Sequence, residues 1–458
     1  MTDIVRYCPS NFPSGRTPLT AVLLAAAFLL VTALADAGAQ PQPPLPDAPV
    51  RIAITTFSAD DTDNRKWAER IATVLTNDLA GSQAFIPLES TALVQERISL
   101  NAKPRFADWR GTNARVVLVG HVASAVGGRL RLAFRLWDVP TGKQIIGAQY
   151  YAPQQHWRRL AHVAADAVYS RLTGDPGYFD TRIAFIERRY DTESAVTRLA
   201  VMDQDGMSLE YLTTGENAVS SPRFSPTAQQ LLYVSEMNGE PRLHLRDLQR
   251  GVSEVVGDFP DLIAAPGFAP DGHRIVMSLK RGGNANLYEM NLRTRAVRRL
   301  TETPAIDTQP SFAPSGRHIV FVSGRSGTRQ LYVMRADGSG QRRISRGEGK
   351  YAEPVWSPQG DVIAFVKRVG GQAFIGLMKP DGSDETLLTG GAEIDGLSWA
   401  PNGRALVYSR FRPGDEGGSQ LFTIAVNGKA ERVLETPHGA ADPSWSPPIT
   451  AREAVRER

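Results

Sequence analysis

The chain has 458 residues, enough for two domains with separate cores, and its 42% hydrophobic and 22% charged residues mark it as globular rather than disordered. Lys and Arg number 52 against 48 Asp and Glu, a net charge of +4 with both signs interspersed, which excludes the basic stripe a nucleic-acid groove requires. Gly 41 and Pro 31 imply frequent turns and favour a substantial all-β part.

Residues 1–39 read as a secretory signal. Arg6 and Arg16 precede an apolar run from Leu19 to Ala35, and Ala37-Gly38-Ala39 offers a cleavage site after Ala39. The only cysteine, Cys8, lies ahead of that run, so the processed chain is expected to lack thiols, disulfides and thiolate metal sites. Residues 40–49 follow as a Pro-rich extended leader.

Residues 50–175 read as an α/β domain. Val50 to Phe57 is strand-like, and Asn64 to Ala80 spaces Trp67, Ile71, Val74, Leu75 and Leu79 along one helix face. A short strand is expected at Ala84 to Leu88 and a helix capped by Ser90 over Ser90 to Ile98. Arg115 to Ala125, Arg129 to Val139 and Gln144 to Tyr151 suggest an antiparallel meander, with turns at Gly127-Gly128 and Thr141-Gly142. A last helix runs from Gln154 to Leu172 and stops at Thr173-Gly174.

From residue 180 to 448 the chain repeats itself. Pro222-Arg223-Phe224-Ser225-Pro226 recurs with its aromatic replaced in turn by Phe268, Phe312, Trp356, Trp399 and Trp445, at spacings of 44, 44, 44, 43 and 46 residues. That period matches a four-stranded propeller blade. Gly-containing turns follow the aromatics, as at Asp271-Gly272, Ser315-Gly316 and Asn402-Gly403, and Asp337-Gly338, Asp381-Gly382 and Asn427-Gly428 turn the chain into each last strand. After Trp445 there is room for one strand only. The three missing strands stand before the first repeat, at Arg182 to Ile186, Thr197 to Met202 and Leu209 to Thr213. The expected fold is therefore an α/β N-terminal domain plus an all-β six-bladed β-propeller with one composite closing blade, and residues 449–458 form a tail.

No catalytic constellation stands out: Gly-x-Ser-x-Gly, His-Glu-x-x-His and a phosphate loop are all missing, and the seven histidines are scattered. His156 and His162, six apart, would lie on different faces of one helix and make a poor metal pair. No cofactor or metal is expected. The segments just before each inner strand should rim one mouth of the central channel, where Asp307, Glu353, Asp395 and Asp442 suggest an acidic ring suited to a partner or a cation.

Local sequence carries a resemblance over nearly the whole processed chain. Val116-Val117-Leu118-Val119-Gly120-His121-Val122, the stretch from Tyr150 to Gly174 with Trp157, Arg158, His162, Asp166 and Leu172-Thr173-Gly174, and Thr181-Arg182-Ile183-Ala184-Phe185 resemble the TolB family of the Tol-Pal system. The resemblance implies a periplasmic, non-enzymatic adaptor that supports outer-membrane integrity and constriction at division. Its propeller would bind Pal, a peptidoglycan-associated lipoprotein, and its mature N-terminus TolA of the inner membrane. The family's Pal-facing positions fall on Leu262, Ala265 and Thr308. Two departures stand out: Leu262 replaces a usual His, and only the Pro-rich residues 40–50 precede the first strand, where the family has a further strand-forming segment. Two other readings of the residues stay open: a propeller enzyme, either a polysaccharide lyase or a peptidase relative, and a cation- or solute-binding propeller.

Overall fold

A computed structural model describes residues 5–6, 48–190, 195–412 and 418–449, and not the side chains of residues 5, 6, 190, 195, 264 and 265. The signal apart from Val5–Arg6, the leader up to residue 47 and the tail from residue 450 lie outside the described residues.

The first domain is built on one mixed sheet. Its hydrogen-bonded order is Val5–Arg6, Gln144–Pro153, Arg129–Asp138, Val116–Ala125, Val50–Ile54 and Phe85–Pro87, with Ser58–Ala59 also pairing on Val116–Ala125. Strand Val116–Ala125 is almost wholly buried because both its faces are covered. Val116, Leu118 and Val122 join the core under helices α1 (Thr62–Gly81) and α3 (Trp157–Thr173). Val117 and Val119 join a second cluster around Trp109 of the short helix α2 (Phe106–Arg110). A Cβ on Gly120 would sit 2.5 Å from the Phe57 ring, so that ring dictates the glycine. Asp61 caps α1 by accepting from the Asn64 amide at 2.7 Å, and Gly174, at φ 80°, ends α3 in the left-handed conformation expected of its sequence.

The helix expected at Ser90 to Ile98 is not formed; only a 3₁₀ turn, Ser90–Ala92, survives. Beyond it the chain bends through residues 94–96, the Thr56 amide donates to the Glu96 carbonyl at 2.8 Å, and Gln95 Oε1 accepts from the Arg105 amide and from Trp109 Nε1. These tertiary bonds outcompete a local helix of weak propensity, and they seat α2, which the pattern did not reveal.

The second domain is a ring of six four-stranded antiparallel sheets. Five are continuous in sequence, and their inner strands are Val219–Phe224, Leu262–Phe268, Asp307–Phe312, Lys350–Trp356 and Ile394–Trp399. The sixth pairs inner strand Gly439–Trp445 with Arg182–Tyr190, followed outward by Ala195–Asp203 and Glu210–Tyr211. The closure is composite as expected, with one correction. The closing strand precedes the aromatic and ends on it, because the Pro-x-aromatic motif is itself the end of each inner strand rather than its approach. The aromatics fill the seams between blades: Phe224, for example, is buried with Ala184, Ile186 and Leu199 of the closing blade. Ser side chains stitch neighbouring inner strands, as where the Phe224 amide donates to Ser444 Oγ at 2.9 Å and the Trp445 amide to Ser398 Oγ at 3.0 Å.

Candidate functional site

The motif proline shapes the channel. In five inner strands it offers no N–H to the ladder and the strand bulges there, with two residues left out of register: Ser221-Pro222, Ala265-Pro266, Gln309-Pro310, Glu353-Pro354 and Asp442-Pro443; the remaining one bulges at the same place without it, at Gly396-Leu397. The first residue of the pair is left-handed at Ser221 (φ 58°), Gln309 (51°), Glu353 (48°), Gly396 (71°) and Asp442 (51°). Non-glycine residues held there are strained, and such strain clusters at functional sites. All five line a cavity of 470 Å³ on the propeller axis, together with Arg223 and Ile263. The residues expected to precede the inner strands are therefore the first halves of those strands, turned inward by the bulge.

The structure divides the expected site residues. Asp307 is fully buried, and its carboxylate accepts from Arg325 Nη2 at 3.0 Å through both oxygens and from Thr303 Oγ1 at 3.1 Å. It serves the blade rather than a solvated rim, because a buried carboxylate demands such partners. Asp395 is half-exposed but paired with Arg368 at 2.6 Å, and Asp442 lies 3.9 Å from Arg188. The rim acids are thus answered by arginines, and the acidic ring expected from sequence is largely neutralised. Glu353 differs. Its side chain accepts from the Gly396 amide, its own amide donates to Gln309 Oε1 at 3.0 Å, and among the described residues it forms no ion pair. Burial, reinforced by Asp395, pushes its carboxyl up to about 7 against the pull of the Gly396 amide and Arg223. Burial likewise draws the pKa of Arg223 down, opposed by Asp442 and Glu353. Leu262 and Thr308 stand half-buried near the starts of their strands, beside the exposed Ile263 and Ile306, and Ala265 lies at the bulge of its strand.

The α/β domain sits on the opposite face. Each inner strand ends at that face, where the following turn holds Arg404, paired with Asp175 at 2.8 Å, and Asn402, which donates to the Pro176 carbonyl. Helix α3 provides the hub. Arg158 binds Asp203 and Asp205, Arg159 forms a buried fork on Asp180, and Asp166 accepts from the amides of Phe179 and Asp180. Between them His162 Nδ1 lies 2.7 Å from Asp78 of α1, and its Nε2 lies 3.8 Å from Asp203 of the propeller. Burial lowers the pKa of this imidazole, but Asp78 and Asp203 more than reverse the effect and hold it well above its ordinary value. Asp78, His162 and Asp205 bring ligand atoms within 4.8 Å of one another, a spacing a cation could use. Arg158 and the imidazolium already supply positive charge there. The spacing of Arg158, His162 and Asp166, four apart along α3, marks one polar helix face, but nothing in the sequence names the partners that make it a joint.

No described helix is long and apolar enough to cross a membrane. The sequence matches the family model described as TolB beta propeller domain over residues 169–449 and that of the TolB amino-terminal domain over residues 46–145. Among solved structures, TolB from Acinetobacter baumannii is similar at TM-score 0.79 and 27% identity, covering 88% of this chain and 98% of that one. A protein provisionally assigned as TolB from Agrobacterium tumefaciens gives TM-score 0.47 at 21% identity over 58% of this chain and 93% of its own. An oligogalacturonate lyase in complex with manganese gives 0.40 at 14% identity over 55% and 84%. Neither of these last two likenesses bears on function.

Proposed function

Because the chain belongs to the TolB family, we propose that it is a periplasmic, non-enzymatic adaptor of a Tol-Pal-type envelope complex. Its propeller binds a Pal-like peptidoglycan-associated lipoprotein, supporting outer-membrane integrity and constriction at division. The observation that carries this reading is the placement of the two faces: the α/β domain is bound on one face, to the closing blade and the blade that begins at Ile394, while the other face, holding Leu262, Ala265 and Thr308, opens away from it. An adaptor needs such separation, since two partners must reach one rigid body without colliding. No histidine lines the channel among the described residues; its titratable lining is Glu353, Asp442 and Arg223. On this reading the short Pro-rich leader alters or removes the contact with a TolA-like protein.

Calorimetry with the soluble domain of the Pal-like lipoprotein from the same bacterium tests the proposal. Wild type should bind, and Thr308→Arg should weaken binding without changing the melting temperature. Equal affinity in the variant moves the contact elsewhere, and no binding by wild type removes the reading.

A further inference from the structure

We infer that the open mouth takes hold of its protein partner through an acidic segment of that partner, seated in a basic groove between the blades that begin at Asp307 and Lys350. This rests on the adaptor reading and adds the chemistry of the contact. Three acids of the mouth are spent within the protein: Asp307 on Arg325, Asp395 on Arg368 and Glu353 on the Gly396 amide. Exposed carboxylates such as Glu302, Glu348 and Glu393 still flank this mouth, so the positive charge is local to the seam between these two blades.

A groove of 680 Å³ runs along this seam, lined by Arg329, Lys350 and Arg368 and floored by Gln309, Thr328 and Ala352, with Glu353 and Asp395 at its inner end. Arg329 and Lys350 are exposed and form no ion pair among the described residues. The backbone keeps the two cations together, because the Tyr351 amide donates to the Arg329 carbonyl at 3.0 Å across the seam. Alongside, Ile306 is 57% exposed and its carbonyl accepts from the Gly324 amide, which ties this apolar shelf to the hairpin that carries Arg329. A guanidinium fork matches a carboxylate in two-point geometry, and an adjacent ammonium serves a second one. A concave floor with an apolar shelf fits an extended acidic peptide with an apolar neighbour better than it fits a flat anionic bilayer.

Surface plasmon resonance with the full processed chain and the soluble domain of the Pal-like lipoprotein tests this. In Arg329→Glu/Lys350→Glu the association rate at low salt should fall about tenfold or more, since rim charges act mainly on encounter. Arg329→Lys/Lys350→Arg should keep the wild-type rate, and the wild-type rate should drop steeply with added NaCl. If the charge-reversed protein associates like wild type while Thr308→Arg does not, the groove plays no part and the inference is overturned with the adaptor reading intact. No association by wild type overturns both. Sedimentation of wild type, but not of the charge-reversed variant, with vesicles of anionic phospholipid would reassign the groove to a membrane surface and also overturn it.

Discussion

Glu353 is the residue whose environment most exceeds what its type suggests. Its carboxyl titrates near 7 in the protein and well below that in the unfolded chain. The folded state therefore holds the extra proton between those two values, and stability contributed at this position falls as pH rises through that window. Glu353→Gln keeps an acceptor for the Gly396 amide and removes the cost of charging. Its melting temperature should exceed that of wild type at pH 8 and match it near pH 4, and parallel scans at both values check this. Asp307 teaches the opposite lesson. Arg325→Met would leave its fully buried carboxylate without the guanidinium, a loss of about 3–5 kcal/mol measurable by urea denaturation. A mild effect would mean that Asp307 is more available to a partner than its burial implies.

At the scale of elements, legibility in the sequence follows the range of the interactions. The inner strands announce themselves because an aromatic in every repeat, and a proline in five of the six, act locally: a ring that fills a seam and a missing N–H at the bulge. The same motif made the closing blade foreseeable, though not that the aromatic ends its strand. Trp445→Ala should cost about 3–5 kcal/mol, since its ring is buried and packs 6.0 Å from Tyr178, and its Nε1 donates to Thr181. Denaturation midpoints of the single variant settle the size. Helix α3 was legible as a helix but not as a hub, because Asp78, Asp180, Asp203 and Asp205 reach it only in three dimensions. The acidic ring misled for the same reason: no sequence period brings Arg325 to Asp307 or Arg368 to Asp395. With its pKa raised in the fold, His162 stabilises the joint fully below its unfolded value and less as pH climbs through the folded one. Wild type should thus lose interdomain stability at alkaline pH, and His162→Gln should lose that pH dependence. Proteolytic nicking of the linker at 174–181 across a pH series reports it.

For the whole molecule, the account turns on polarity of placement: the α/β domain holds one face of the ring through buried ion pairs, and the other face is free for a partner. The strain at Ser221, Gln309, Glu353 and Asp442, the exposed Ile263 and Ile306, and Arg329 and Lys350, which form no ion pair among the described residues, all belong to that free end. Hydrogen–deuterium exchange with and without the soluble Pal-like lipoprotein addresses this claim most directly. The account predicts slowed exchange at 262–265, 306–309 and 350–353, with residues 400–404 and the linker unchanged. Protection confined to the face that carries the α/β domain would contradict it.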